Sequence, residues 1–351
     1  MEVATRIGFL AFALAAMLVP ERTLCQEITI GAREDARPFV WRDGDTGEYL
    51  GFLWDICTKA TQRAGYSFHA IPLRAEDKAE FLNHGTRNYD LLCDPTTITL
   101  YRMKNFVEKG ELSHLSFSPI VFVANGAYAS HSSAEARPGW GETSDSQQTP
   151  QRCADLLKQA EEEIVEKRAD PWITMVPPTN KGRLRFEIWG YVKGSTIGAV
   201  LEHENSLKQA DSVGDRPLVC LKDFASHEDA ADWFCTDRLA RYFGDADIIK
   251  ATIKSRSERP GGSCTSGVNF SADGTYEPYA YVTSSRNVLE FPKKFEYALY
   301  EMFTDGTVER LFTGHFSSGK SEYLRTLFQI NSIPRGTPPS QPKEAGLKLR
   351  Q

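Results

Sequence analysis

The sequence has no run of lysines and arginines, no second long apolar stretch and no closely spaced cysteine or histidine pair, and each gap removes a class of function. Phosphate backbones are bound by neutralising their charge. A chain with a formal net charge of -6 and no basic cluster is therefore not built as a nucleic-acid surface. Zinc sites need ligands at short spacings, and without Cys-x-x-Cys no metal ligand or cofactor is assigned. Nucleophilic hydrolysis lacks its Gly-x-Ser-x-Gly elbow. The one long uncharged apolar run, residues 7–19, is too short to cross a bilayer easily.

That run follows Arg6 and precedes Pro20 and a polar stretch reaching Gln26, the layout of a secretory signal peptide. Residues 1–25 are expected to be removed, with cleavage after Cys25, and the mature protein is expected to be periplasmic. A lipid-modified Cys25 is the second reading. Six cysteines then remain, at positions 57, 93, 153, 220, 235 and 264, and an even number in an exported chain reads as disulfides. Cys57 with Cys93 is the favoured pair, worth roughly 3–4 kcal/mol in the chain-entropy picture of loop closure. The pairing of the other four stays open.

At 351 residues and 41% hydrophobic, the chain can fill two cores of ordinary size. Apolar alternation predicts strands over 27–32, 66–71, 89–93, 186–192, 217–221 and 242–245. Helical spacing predicts helices over 51–64, 78–84, 227–238 and 247–254, with one more from Thr196 to His203. This alternation implies an α/β fold with a mostly parallel sheet, whose ligand sites lie beyond the carboxyl ends of the strands. A strand over 281–285 and helices over 291–303, 306–312 and 323–328 complete the pattern. Between about 127 and 185 it gives way to Ser, Gly, Pro and Gln, read as a surface insertion carrying an exposed charged helix over 153–168. The tail, 335–351, has no core-forming composition and is expected to be disordered.

Three clusters carry chemistry. Thr96, Thr97 and Thr99 follow a buried-looking strand and Arg102 comes one helical turn later, so hydroxyls, amides and a guanidinium can converge on a carboxylate. The same residues can equally be a helix cap followed by a surface arginine. Gly194, Ser195 and Thr196 repeat the logic at another helix start. Asp245, where a strand finishes, can meet a cationic amine or cap the next helix.

The run Gly31-Ala32-Arg33-Glu34-Asp35-Ala36-Arg37-Pro38-Phe39, then Gly51-Phe52-Leu53-Trp54-Asp55-Ile56-Cys57, resembles the opening of bacterial family 3 solute-binding proteins of amino-acid ABC transporters. Asp90-Leu91-Leu92-Cys93-Asp94-Pro95-Thr96-Thr97-Ile98-Thr99 with Arg102, Phe117-Ser118-Pro119, Ser226-His227-Glu228, Tyr242-Phe243-Gly244-Asp245, Tyr276-Glu277-Pro278-Tyr279-Ala280 and Asp305-Gly306 follow in the order of that family. The resemblance implies a periplasmic binding protein-like type II fold, with two α/β lobes joined by two hinge strands: 26–121 with 282–334, and 122–281.

It further implies a monomer that captures an amino-acid-like ligand for a membrane permease. By position, Arg102 would clamp the α-carboxylate with help from Thr96, Thr97, Gly194, Ser195 and Thr196. Asp245 would take the α-amino group, and Phe39, Trp41 and Phe52 would wall the side-chain pocket. Arg33, with Asp35 near it, falls where relatives that bind acidic amino acids resemble this sequence, which implies glutamate or aspartate. Two departures stand out: the insertion, and Asp94-Pro95 where the family usually has glycine and a small residue beside the carboxylate. A binding protein rather than an enzyme is expected. The competing readings are a cyclohexadienyl dehydratase-like enzyme, which would need a general acid among Asp35, Asp94 and Asp245, and a ligand sensor for a membrane receptor.

Overall fold

The structure is a computed structural model. It describes residues 26–131 except 87, 140–143, 153–155, 157, 158, 161, 184–210, 218–259, 264, and 267–336 except 318. The expected leader, the tail from 337 and most of the insertion lie outside these residues.

Strand β1 (Glu27–Arg33) buries Ile28, Ile30 and Ala32 on one face, as alternation demands. A short antiparallel sheet follows, made of β2 (Asp35–Ala36), β3 (Val40–Arg42) and β4 (Tyr49–Leu50). Helix α1 (Phe52–Arg63) starts directly after Gly51, whose φ of 127° and close approach to the Phe39 carbonyl exclude any side chain there. Then come β5 (Ser67–Leu73), α2 (Ala75–His84), β6 (Leu91–Thr97) and α3 (Leu100–Glu108). β1 pairs in parallel with both β5 and β6.

The second lobe repeats the scheme. Its strands are β10 (Leu184–Val192), β11 (Leu218–Phe224) and β12 (Arg241–Asp245), with β10 parallel to both of the others. Its helices are α4 (Thr196–Ala210), α5 (His227–Cys235) and α6 (Ala246–Glu258). Three helices, α7 (Phe291–Thr304), α8 (Thr307–His315) and α9 (Glu322–Asn331), return to the first lobe and pack on α1 and on one another.

Two long antiparallel strands connect the halves. β8 (Phe122–His131) and β13 (Val268–Ser284) pair with each other, β8 also pairs with β12, and β13 also pairs with β6 and with the short β7 (Leu115–Phe117). The order through the large sheet is β11-β10-β12-β8-β13-β6-β1-β5. Parallel pairing thus builds each lobe, and antiparallel pairing joins them. One core gathers around Phe39, Phe52, Phe122, Phe291 and Phe312, the other around Phe224, Phe234, Tyr242 and Ile249.

The structure departs from the sequence reading in four places. β6 does not end at Cys93 but continues to Thr97, because Thr96 and Thr97 pair with Ala280 and Tyr279 of β13. β8 does not lose order at 127 but runs to His131, held between β12 and β13. The return strand begins at Val268, far ahead of 281. Strand β9 (Trp140–Thr143) pairs with the start of β10, inside the stretch read as an insertion.

Three disulfides are formed, Cys57–Cys93, Cys153–Cys220 and Cys235–Cys264. The first ties α1 to β6. Of the charged helix expected over 153–168, the described residues 153–155, 157, 158 and 161 are helical. No helix among the described residues is long and apolar enough to cross a membrane.

Candidate functional site

Between the lobes lies a cleft enclosing about 670 Å³, part of it open to solvent. The first lobe contributes Arg33 from the end of β1, Lys78 from α2, Asp94, Pro95 and Thr97 from β6, and Arg102 from α3. The second contributes Lys193, Gly194, Ser195 and Thr196 before and at the start of α4, His227 and Asp245, while β13 contributes Glu277. The carboxyl ends of β1, β10 and β12 therefore face one space, as expected for an α/β sheet.

Thr99 caps α3, its hydroxyl accepting the Arg102 N–H at 3.2 Å. Capping and cleft roles coexist, because the Arg102 guanidinium turns into the cleft and donates to the Thr97 carbonyl at 2.7 Å. Across the cleft, Gly194 adopts a φ of 73° and the Ser195 hydroxyl accepts the Gly198 N–H at 3.1 Å, which holds the start of α4 where Ser195, Thr196 and Ile197 line the cavity. A Cβ placed on Gly194 would stand 3.8 Å from the Ala75 carbonyl oxygen and from Ala79 Cβ, so the lobes come close together here.

Asp245 precedes α6 without capping it by its side chain. Burial, reinforced by the nearby charge of Glu277, pushes its carboxyl up to about 7. Glu277 accepts a short hydrogen bond from the Thr97 hydroxyl.

Two ion pairs line the first-lobe wall. Lys78 is paired with Asp94, whose carboxylate also accepts from the Thr96 hydroxyl at 2.8 Å. Burial works against the Asp94 charge, but Lys78 and Arg33 outweigh it and hold the carboxyl below its usual range. Arg33 is paired with Asp35. Burial likewise opposes the Asp35 charge, yet Arg33 and the neighbourhood of His227 bring it down to about 2. Asp35 also accepts the backbone N–H of His227 at 2.8 Å, a bond from one lobe to the other. The His227 ring is held neutral, its pKa lowered to about 4 by burial, and shares a 2.7 Å hydrogen bond with the Tyr242 hydroxyl.

Some expected positions fall elsewhere. Phe39 and Phe52 are core residues, not cleft walls: Phe39 packs on Phe122 and Tyr279 at ring distances of 4.8 and 5.4 Å, and Phe52 on Phe316 and Phe312 at 5.4 and 5.8 Å. Trp41 lies beneath the Arg37 guanidinium, 4.8 Å away, outside the cleft. Thr96 is fully buried and supports Asp94. Asp35 lines a smaller hollow with Arg37 and Glu228. Arg33 reaches the cleft and is paired there with Asp35.

Lys78, His227 and Glu277 also line the cleft, though the sequence alone does not mark them as site residues. A buried carboxylate at position 94 demands a cation, the one signal that pointed toward Lys78. Among the described residues no cluster of potential metal ligands occurs.

A family model for bacterial extracellular solute-binding proteins, family 3, matches residues 28–318. The chain belongs to this family. No curated protein matches it in sequence. Many solved structures share the fold of this family 3 protein. An ancestral arginine-binding protein bound to arginine is 19% identical, with a TM-score of 0.55, covering 83% of this chain and 98% of that one. A Streptococcus pneumoniae substrate-binding protein of an ABC uptake transporter, with bound histidine, is 15% identical at a TM-score of 0.55, over 83% and 93%. An ancestral amino acid-binding protein, a precursor of cyclohexadienyl dehydratase, is 15% identical at 0.52, over 83% and 95%. These likenesses show the fold, that of the type II periplasmic binding proteins.

Proposed function

We propose that this protein captures an amino-acid zwitterion in the interlobe cleft and delivers it to an ABC transporter permease outside the cytoplasm. The reading rests on one observation: Arg102 from the first lobe, and Asp245 with the start of α4 from the second, face the same cavity. A carboxylate is matched by a guanidinium and helix-start amides, an ammonium by a carboxylate. The guanidinium and the carboxylate that meets the ammonium belong to different lobes, so binding is completed by closure and the ligand favours the closed form, which the permease would recognise.

The proposed lobes are residues 26–121 with 282–334, and residues 122–281, with β8 and β13 as hinges. Support comes from the family match and from the separate cores on either side of these strands. In solution, adding amino acids one at a time to the mature protein should raise its melting temperature and reduce its radius of gyration for at least one of them. Neither change with any amino acid would refute the reading.

One observation favours a second reading. Asp245 is a cleft carboxyl pushed up to about 7, the property of a general acid. Incubation with arogenate or prephenate decides between them, with no conversion expected for a binding protein.

A further inference from the structure

The cleft holds four cationic side chains, Arg33, Lys78, Arg102 and Lys193, and their arrangement restricts what a ligand's side chain can be. Two of them are already matched within the first-lobe wall. Lys78 is paired with Asp94, itself only 2% exposed and fixed by Thr96. Arg33 is paired with Asp35, which is fixed in turn by the His227 N–H. Lys78 is close enough to Arg102 and Arg33 to feel the charge of each.

Resting on the zwitterion reading above, we infer that these two ion pairs make the remainder of the cleft electrically neutral, so that the ligand is an amino acid with an uncharged side chain. An acidic side chain would have to pull Lys78 or Arg33 from a buried carboxylate. A basic one would have to pull Asp94 away from Lys78. Either exchange leaves an unmatched charge out of water, which costs more than a new pair returns. Ala36, Ala75, Val192, Ile197 and Ile248 add uncharged lining, and the two remaining charges, Lys193 and Glu277, are of opposite sign, Lys193 exposed and Glu277 accepting the Thr97 hydroxyl.

The two pairs are therefore specificity-determining, and breaking one has a signed consequence. Asp94→Asn leaves Lys78 unmatched and should turn the preference toward glutamate and aspartate. Lys78→Gln leaves Asp94 unmatched and should turn it toward lysine and arginine. Titration calorimetry of the mature protein with glutamine, serine, leucine, glutamate, aspartate, lysine and arginine measures this. The native protein is expected to bind an uncharged member at least about tenfold more tightly than any charged one, and each variant to move its ratio of charged to uncharged affinity by about tenfold in the stated direction.

A native preference for a charged amino acid, or a folded variant whose ranking is unchanged, overturns the inference. If neither variant folds, the native ranking alone decides. A native protein that binds no amino acid refutes the zwitterion reading itself, a separate outcome.

Discussion

Asp245 is the residue whose chemistry most constrains binding. An ammonium group is held by a carboxylate, not by a carboxylic acid, and burial beside Glu277 keeps the free Asp245 protonated up to about pH 7. Below that value binding must first expel a proton. Affinity is therefore predicted to rise as the pH increases from about 6 to about 8, steeply on the acid side and levelling off above about 7. Calorimetry in two buffers of different ionisation enthalpy should register one proton released per ligand near pH 6. Asp245→Asn should abolish that release and weaken binding, and a pH-independent native affinity would contradict the assignment. Asp35 behaves oppositely: held at about 2, it stays ionised throughout this range, so its bond to the His227 N–H is not the titrating element.

At the scale of the element, Arg102 is placed by the start of α3, and Thr99 defines that start. Thr99→Ala removes the cap and is predicted to cost about 1 kcal/mol of stability in denaturant unfolding. It should also weaken ligand binding, because the first turn that carries Arg102 is no longer held. Unchanged affinity would mean that α3 is positioned by its packing alone.

What could be read from sequence follows the same physics. β1 was legible because Ile28, Ile30 and Ala32 alternate, and α1 because its apolar spacing closes at Gly65. The first half of β13 was not: Gly274 and the bulge between Ala272 and Tyr276 break its alternation, and a strand joining two lobes has no single core to face. Phe39 and Phe52 were misplaced because an aromatic ring suits a pocket wall and a core equally. Their place is decided by Phe122 and Phe312, distant in sequence. Lys78 is hard to read from sequence because Glu76, Asp77 and Glu80 around it give α2 the look of a solvated helix. Its burial depends on Asp94 from another strand.

In the whole molecule, the cleft, the hinge strands and the interlobe contacts form one device. The lobes meet at the Asp35–His227 hydrogen bond on one edge and at Gly194 against α2 on another, with the lining charges between them. The proposed capture and hand-over require a ligand that bridges Arg102 and Asp245 and so biases closure. The most direct test is titration calorimetry of the mature native protein and of Arg102→Ala with the full set of amino acids. The account predicts saturable one-to-one binding by the native protein and a loss of about a hundredfold or more in the variant, the consequence of removing a charge-assisted donor to the α-carboxylate. Equal affinity in the folded Arg102→Ala variant would contradict it.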